Sequence, residues 1–384
     1  MIKLKPRLKP NYSLSDWRAA FGFFRSDSVA DFERNFAQKF ENRYGVMFQH
    51  GRTGLYALLK VWGLKNDEVV CPAYTCVVVP TAVVLSGNIP VFVDCGKGSF
   101  NMDTSLLEKA ITKKTRAVIV THLFGYPMDT LKINKIVKES EKKYGHKIYV
   151  IQDVAHSFGA KWKGRYVTTF GDASIFGLNI SKMINSIFGG MVLTDDEDTR
   201  NKLLIWRHSN TVKKGFFKEI KRLVYFISVN IAFNSYVYGF VNFLERKGFL
   251  DRFVKYYEEG KLSFPDDWNC FPSKIEARVG LNQLKKYDMI VSGRVGNALK
   301  WKEKLHGKDV IFLKDYEGCT FSHCTGLSVN REELLEKYRQ MGFQLGIIVE
   351  YSVPYMKAFS KYARGEYPVS LDYSKKSVNF PNWV

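Results

Sequence analysis

A chain of 384 residues can bury a large core, most naturally in two domains. Its formal charge of +20, from 58 Lys and Arg against 38 Asp and Glu, is spread along the sequence without a nucleic-acid motif, which excludes nucleic acid as the expected partner and points to an anionic substrate or an anionic membrane face. Six cysteines without framework spacing, and no secretory leader pattern, exclude a disulfide scaffold and place reduced thiols in the cytoplasm, with the inner face of the membrane as the other expected location.

Through the first two hundred residues strands alternate with stretches of helical period, which predicts an α/β fold with a mainly parallel sheet flanked by helices. The segment HGRTGL comes first: Gly51 and Gly54 let the backbone approach an anion closely, and the following helix offers its N-terminal amides. Two glycines before a helix also make an ordinary turn. The helical run LYALLKVWGL is then followed by the strands VVCPAY, PVFVD, RAVIVTHL and KIYVIQD.

KIYVIQD delivers Asp153 at its carboxyl end, where ligands of open parallel sheets sit; an N-cap for the next helix is the alternative. Lys182 follows ASIFGLNI, a stretch of strand character, and precedes a Gly-Gly pair that opens the strand MVLT. A lysine carried between two buried strands is partly desolvated, which lowers its pKa and frees its amine for Schiff-base chemistry; a loop lysine facing water is the alternative. Such a lysine together with such a carboxylate is what pyridoxal phosphate chemistry requires.

These pieces fall in order beside VADFERNFAQKFENRYG, CPAYTCVVVPTAV, THLFGYPMD, IQDVAHSFGAKWKGRYVTTFGDASIF and WNCFPSKIEARVGLNQL. In that order the chain resembles the DegT/DnrJ/StrS sugar aminotransferases, fold-type I pyridoxal phosphate enzymes, from Val29 to His208 and again from Trp268 onward. The resemblance implies pyridoxal 5'-phosphate as cofactor. Lys182 matches the lysine that carries it and moves the proton, and Asp153 the acid that pairs with the pyridine nitrogen. His156 matches a further cofactor contact, and Asn269 an asparagine that reaches the partner subunit's cofactor phosphate, so a homodimer is implied. Gly51, Arg52 and Thr53 fall at the phosphate loop, with Cys76 at the position of a ring-stacking aromatic and Asn179 within the lysine segment. Departures from the family pattern are Cys76, Gly177 where a serine is expected, Asn179 and Ile180 where His and Pro are common, and Phe271 in place of an arginine.

The implied reaction converts a keto-sugar, nucleotide-linked, to an amino-sugar with glutamate as donor, in the biosynthesis of surface polysaccharide, lipopolysaccharide or another glycoconjugate. Two alternatives stay open. Family dehydratases use the cofactor without net transamination and typically carry histidine at the position of Lys182; a non-catalytic, membrane-associated relative would have kept only the fold.

The sequence divides into a large cofactor-binding domain (1–212), a basic and aromatic helical insertion (213–262) and a smaller C-terminal α+β domain (263–384). The insertion holds Leu223 to Leu244 without a single charge, flanked by KKGFFKEIKR and ERKGFLDRFVKYYEEG. A peripheral element on an anionic membrane surface through 213–260, a helical insertion packed on the protein, and a membrane span are the three readings of it. In the C-terminal part, helices are expected over IEARVGLNQLKKYDMIVSGR and REELLEKYRQMGF, and the final SVNFPNWV matches a segment that in relatives leads into one more helix. Cys319, His323 and Cys324 suggest a metal, but a strand over CTFSHC would split these ligands between its faces, so no metal is expected.

Overall fold

The structure, a computed structural model, describes residues 4–22, 28–213, 215–234, 236–250, 260–307 and 309–384. Up to residue 194 its strands are β1 (Tyr44–Phe48), β2 (Glu68–Pro72), β3 (Ile89–Val93), β4 (Thr115–Thr121), β5 (Tyr149–Asp153), the short β6 (Lys161–Trp162) and β7 (Arg165–Tyr166), β8 (Ala173–Gly177) and β9 (Gly190–Thr194). Seven of them form one sheet in the order β1-β9-β8-β5-β4-β2-β3. Pairing is parallel from β8 across to β3, and β9 runs antiparallel to both of its neighbours. The strands read as near-continuous apolar runs because helices cover both faces, and β2 and β9 are buried along their whole length.

The crossover helices are set by local chemistry. Asp103, Asp129 and Asp196 each accept a backbone N–H of the first turn of the helix they precede, and Gly145 closes the helix Thr130–Tyr144 in the left-handed conformation at φ 72°. On the lysine side, β8 and β9 pair Gly177 with Gly190. A Cβ on Gly190 would stand 2.2 Å from the Gly51 nitrogen, and one on Gly51 would stand 2.7 Å from the Phe176 carbonyl oxygen. Backbone therefore packs on backbone where the lysine segment meets the start of the helix Gly51–Val61.

The C-terminal body pairs β10 (Cys324–Leu327) with β11 (Ser377–Phe380), antiparallel, and packs them under the helices Tyr287–Leu305, Arg331–Gln340 and Pro368–Lys376. Its core continues into the large sheet through Tyr74, Phe100 and Phe124. Two expectations are revised. The helix expected over residues 275–294 breaks at Lys286, whose amine is drawn to the Asn11 carbonyl and to Asp16. Its first half, Lys274–Lys285, packs in the large body, its Ala277 and Leu284 sharing a core with Phe32 and Phe36. The strand expected over CTFSHC begins only at Cys324. The preceding residues form a loop in which Cys319 and Cys324 meet different partners, the Tyr316 N–H and the Ala298 carbonyl.

Within the insertion, helices span Phe216–Ala232 and Tyr238–Arg246, and no described helix is long and apolar enough to cross a membrane. The last stretch of the predicted insertion, 251–259, lies outside the described residues.

Candidate active site

Asp153 ends β5 beside Thr121 of β4, and that register fixes its carboxylate. The Thr121 hydroxyl donates to Oδ2 at 3.1 Å, and the Ala155 N–H donates to Oδ1 at 3.1 Å. Burial raises its pKa, while Ala155, Lys182 and Thr121 pull the other way. The residues after Asp153 form a turn and not a helix, so it is no N-cap.

Lys182 leaves the turn after β8, its N–H donating to the Asn179 carbonyl at 3.0 Å. Part of its side chain reaches the surface, yet burial of the amine is the main force lowering its pKa, with Cys76 and Asp153 acting against it. A Cβ on Gly177 would touch the Lys182 Cε at an ordinary 3.5 Å. Asn179 itself is exposed, and its side-chain oxygen accepts from the Ser181 hydroxyl at 2.7 Å; it shapes the turn.

His156 is buried, its ring 5.9 Å from that of Phe124 and nearly parallel at 24°. The unforeseen member of the group is His323, from the loop that enters β10. Its ring centroid lies 4.9 Å from that of His156, and the Ser322 hydroxyl lies 2.9 Å from its Nδ1. Burial first, then the Lys182 charge, holds both histidines well below the ordinary 6.5. The sequence signal for His323 is its place in CTFSHC, where it is weighed only as a metal ligand and set aside.

Behind these residues the backbone is strained and held. Phe124 adopts φ 56° and Gly125 φ 98°. Asn101 clamps them from both sides, accepting the Leu123 N–H at 2.8 Å and donating to the Tyr126 carbonyl at 2.9 Å. A Cβ on Gly125 would stand 2.4 Å from the Phe321 nitrogen, and the Thr320 N–H donates to the Gly125 carbonyl at 3.0 Å. His122, kept neutral by burial with a pKa of about 4, joins Gln152 at 2.8 Å beneath Asp153.

At the other end, the loop His50–Thr53 rests on an ionic layer. His50 Nε2 lies 2.7 Å from Asp267, which Arg222 approaches at 2.5 Å; Arg222 also stands 2.7 Å from fully buried Glu276, in an ion pair not aligned as a hydrogen bond. Burial opposes ionisation of Asp267, but His50 and Arg222 hold its pKa well below the usual range. The Thr53 hydroxyl donates to the Trp268 carbonyl at 3.0 Å, and the Asn269 carbonyl accepts the Val212 N–H at 2.8 Å, so both tie the 267–271 segment to the large body. Arg52 lies in the first turn of the helix, partly exposed.

This donor set fits pyridoxal phosphate. It offers an amine of lowered pKa, a buried carboxylate, and a helix start at Gly51; it also holds two buried polar atoms without a partner among the described residues, His156 Nδ1 and Thr75 Oγ1. A cleft of about 810 Å³ between Asp94, Trp162, Tyr316 and Glu366 contains none of these residues. Two of its carboxylates, Asp103 and Asp129, already cap helices, so the chemistry selects the Lys182 site.

The fold matches a sugar aminotransferase from Streptococcus pneumoniae, Spr1654, with TM-score 0.78, 18% identity and coverage of 99% of this chain and 93% of that one. It matches a GDP-4-keto-6-deoxy-D-mannose-3-dehydratase of E. coli with bound hydrated PLP equally well, at TM-score 0.78, 20% identity and coverage of 100% and 96%. By sequence, the chain is 34% identical to a GDP-perosamine synthase of Escherichia coli O157:H7 over 191 residues, half of each chain. It is 26% identical to a GDP-4-keto-6-deoxy-D-mannose 3-dehydratase of Yersinia pseudotuberculosis over 340 residues, 85% of this chain and 78% of that one. The DegT/DnrJ/EryC1/StrS aminotransferase family model matches residues 19–235, more than half of the sequence, and the architecture is that of fold-type I pyridoxal phosphate enzymes. On that match the chain belongs to the DegT/DnrJ/EryC1/StrS aminotransferase family.

Proposed function

We propose that the protein is a pyridoxal phosphate-dependent aminotransferase that converts a nucleotide-linked keto-sugar to an amino-sugar for polysaccharide or lipopolysaccharide biosynthesis. The observation that carries this reading is the pairing of Lys182, whose amine is desolvated, with Asp153 on the adjacent strand end. When bound, the cofactor supplies an aldehyde for amine exchange and a ring that takes up the charge developing at the amino carbon.

Asp153, oriented by Thr121 and Ala155, offers its carboxylate to the ring nitrogen. A buried cation–anion pair there stays ionised, which keeps that nitrogen protonated. Lys182 would hold the cofactor covalently and its Nζ would serve as the base that moves the proton of the substrate carbon; a lowered pKa keeps part of the amine ready for this. His156 and His323, held neutral, bound the pocket without adding positive charge beside Lys182. Gly51, Arg52 and Thr53 stand at the phosphate end, with Cys76 and Asn179 flanking the lysine. Glutamate as donor, and a homodimer in which Asn269 serves the partner's site, complete the reading, together with peripheral association of 213–260 with an anionic membrane surface.

Purified protein reconstituted with the cofactor is expected to be yellow, to bleach on adding glutamate, and to lose the band in Lys182→Ala; colourless protein that takes up no cofactor overturns the proposal. The likeness to a 3-dehydratase over 85% of the chain favours a second reading, deoxygenation of the same class of sugar. Lys182 itself stands against it, and the product decides: an amino-sugar formed with equimolar 2-oxoglutarate, or a deoxy keto-sugar.

A further inference from the structure

Helix Phe216–Ala232 is built inside out. Three of its four charged residues face the protein: Lys218 is buried and donates to the Gln49 side chain and the Phe271 carbonyl, Glu219 accepts from the Ser273 hydroxyl at 2.8 Å, and Arg222 joins Asp267 and Glu276. Phe226 and Val229 fill the same inner face. Outward stand Phe217, Ile220, Val224 and Ile231, spaced three, four and seven residues apart and 80, 39, 56 and 56% exposed, with Phe216 beside them at 70%. That spacing is one stripe of a helix, roughly 21 Å long at about 1.5 Å per residue. An ordinary surface helix turns its apolar stripe inward, and a contiguous exposed one marks a contact face.

The next helix repeats the pattern. Phe240 and Phe243 are 49 and 53% exposed, and exposed Lys247 continues their stripe. On the first helix exposed Lys221 lies within the apolar stripe, and exposed Lys213 precedes it.

We propose that these two helices dock side-on into the surface of an anionic bilayer, the aromatic and aliphatic stripe entering the headgroup boundary and Lys213, Lys221 and Lys247 meeting lipid phosphates. The inference deepens the membrane-surface reading given above and rests on it. Charge decides between a lipid face and a second copy of the chain. In a two-fold contact each copy would set Lys221 and Lys247 against the same residues of the other, on a protein of net charge +20, whereas anionic headgroups neutralise them. Because Lys218 and Arg222 are held inward, the basic contribution to docking comes from fewer residues than the sequence KKGFFKEIKR displays.

The test is co-sedimentation of the full chain, loaded with pyridoxal phosphate, with vesicles of equal parts phosphatidylglycerol and phosphatidylcholine and with vesicles of phosphatidylcholine alone. Binding to the anionic vesicles is expected, weakening as salt is raised. Phe217→Asp with Val224→Asp should lower the partition at least about tenfold. Lys221→Glu should weaken it less and flatten its salt dependence. The cofactor band stays in both variants, which separates failure of docking from failure of the aminotransferase reading. Three results would overturn the proposal: no binding to anionic vesicles, equal binding by the Asp variant, or a vesicle-indifferent dimer that the Asp substitutions split into monomers.

Discussion

The rings of His323 and His156 stand 4.9 Å apart, one carried by the C-terminal body and the other by the turn after β5. The candidate site is therefore closed by a residue some 170 positions from its neighbour, and two buried neutral imidazoles share one pocket with a lysine. His323→Gln is expected to keep cofactor binding and to change KM for the keto-sugar more than kcat; a variant with unchanged kinetics in both would remove His323 from the site.

The same histidines set a pH dependence of stability. Burial holds His122 down to about 4, and His156 and His323 well below the ordinary 6.5. Unfolding returns each to its ordinary value, so below pH 6.5 the unfolded chain binds protons that the native chain refuses. The stability that depends on neutral rings is full above that pH and falls as acid is added, by about 1.4 kcal/mol per pH unit for each histidine. Urea midpoints of the wild type should drop between about pH 6.5 and about pH 5, and His323→Gln should drop less steeply. Parallel slopes would contradict neutral burial.

Asp153→Asn preserves shape and removes the charge. Cofactor uptake should persist in weakened form while turnover falls roughly 10²-fold or more, the scale seen when one preorganised electrostatic contact is lost. Turnover within twofold of the wild type would assign ring activation to another group.

Backbone contact at the glycines makes opposite predictions for neighbours in space. Gly51→Ala and Gly190→Ala each place a Cβ within 2.7 Å of rigid backbone and should cost about 1–3 kcal/mol or more in thermal or urea unfolding. Gly177→Ser meets the flexible Lys182 stem at 3.5 Å and the Ala155 Cβ at 3.9 Å, both ordinary contacts, so it should fold normally, and its added hydroxyl should tighten the hold on the cofactor in equilibrium dialysis.

Arg222→Ala leaves Glu276 buried without its cation, a loss of about 3–5 kcal/mol. Lys221→Ala, one residue away on the outer face, should leave the urea midpoint unmoved. Equal effects from the two would mean that the inner ionic layer carries no stability.

Much of the catalytic end was legible because short apolar, β-branched runs and their terminal residues are local signals. KIYVIQD announced both a buried strand and the acid at its tip, and the segment between two strands announced a desolvated lysine. His323 was not legible, since its partner lies on another element and long-range contacts such as the packing of Phe321 on Tyr126 and Gly125 bring it in. The insertion was misleading in a specific way. KKGFFKEIKR reads as a basic flank, but the helical period sends Lys218 and Arg222 inward to carboxylate and carbonyl partners, and a count of charges carries no phase. The split at Lys286 escaped for a related reason: Asp16, which draws that lysine out of line, is 270 residues away.

The join between Gly125 and Phe321 bears on motion. Where two chain segments touch backbone to backbone and exchange a hydrogen bond, no side chain can be repacked to let them slide. The edge of the pocket formed by Phe124 and His323 then behaves as a fixed wall, already assembled before any ligand arrives.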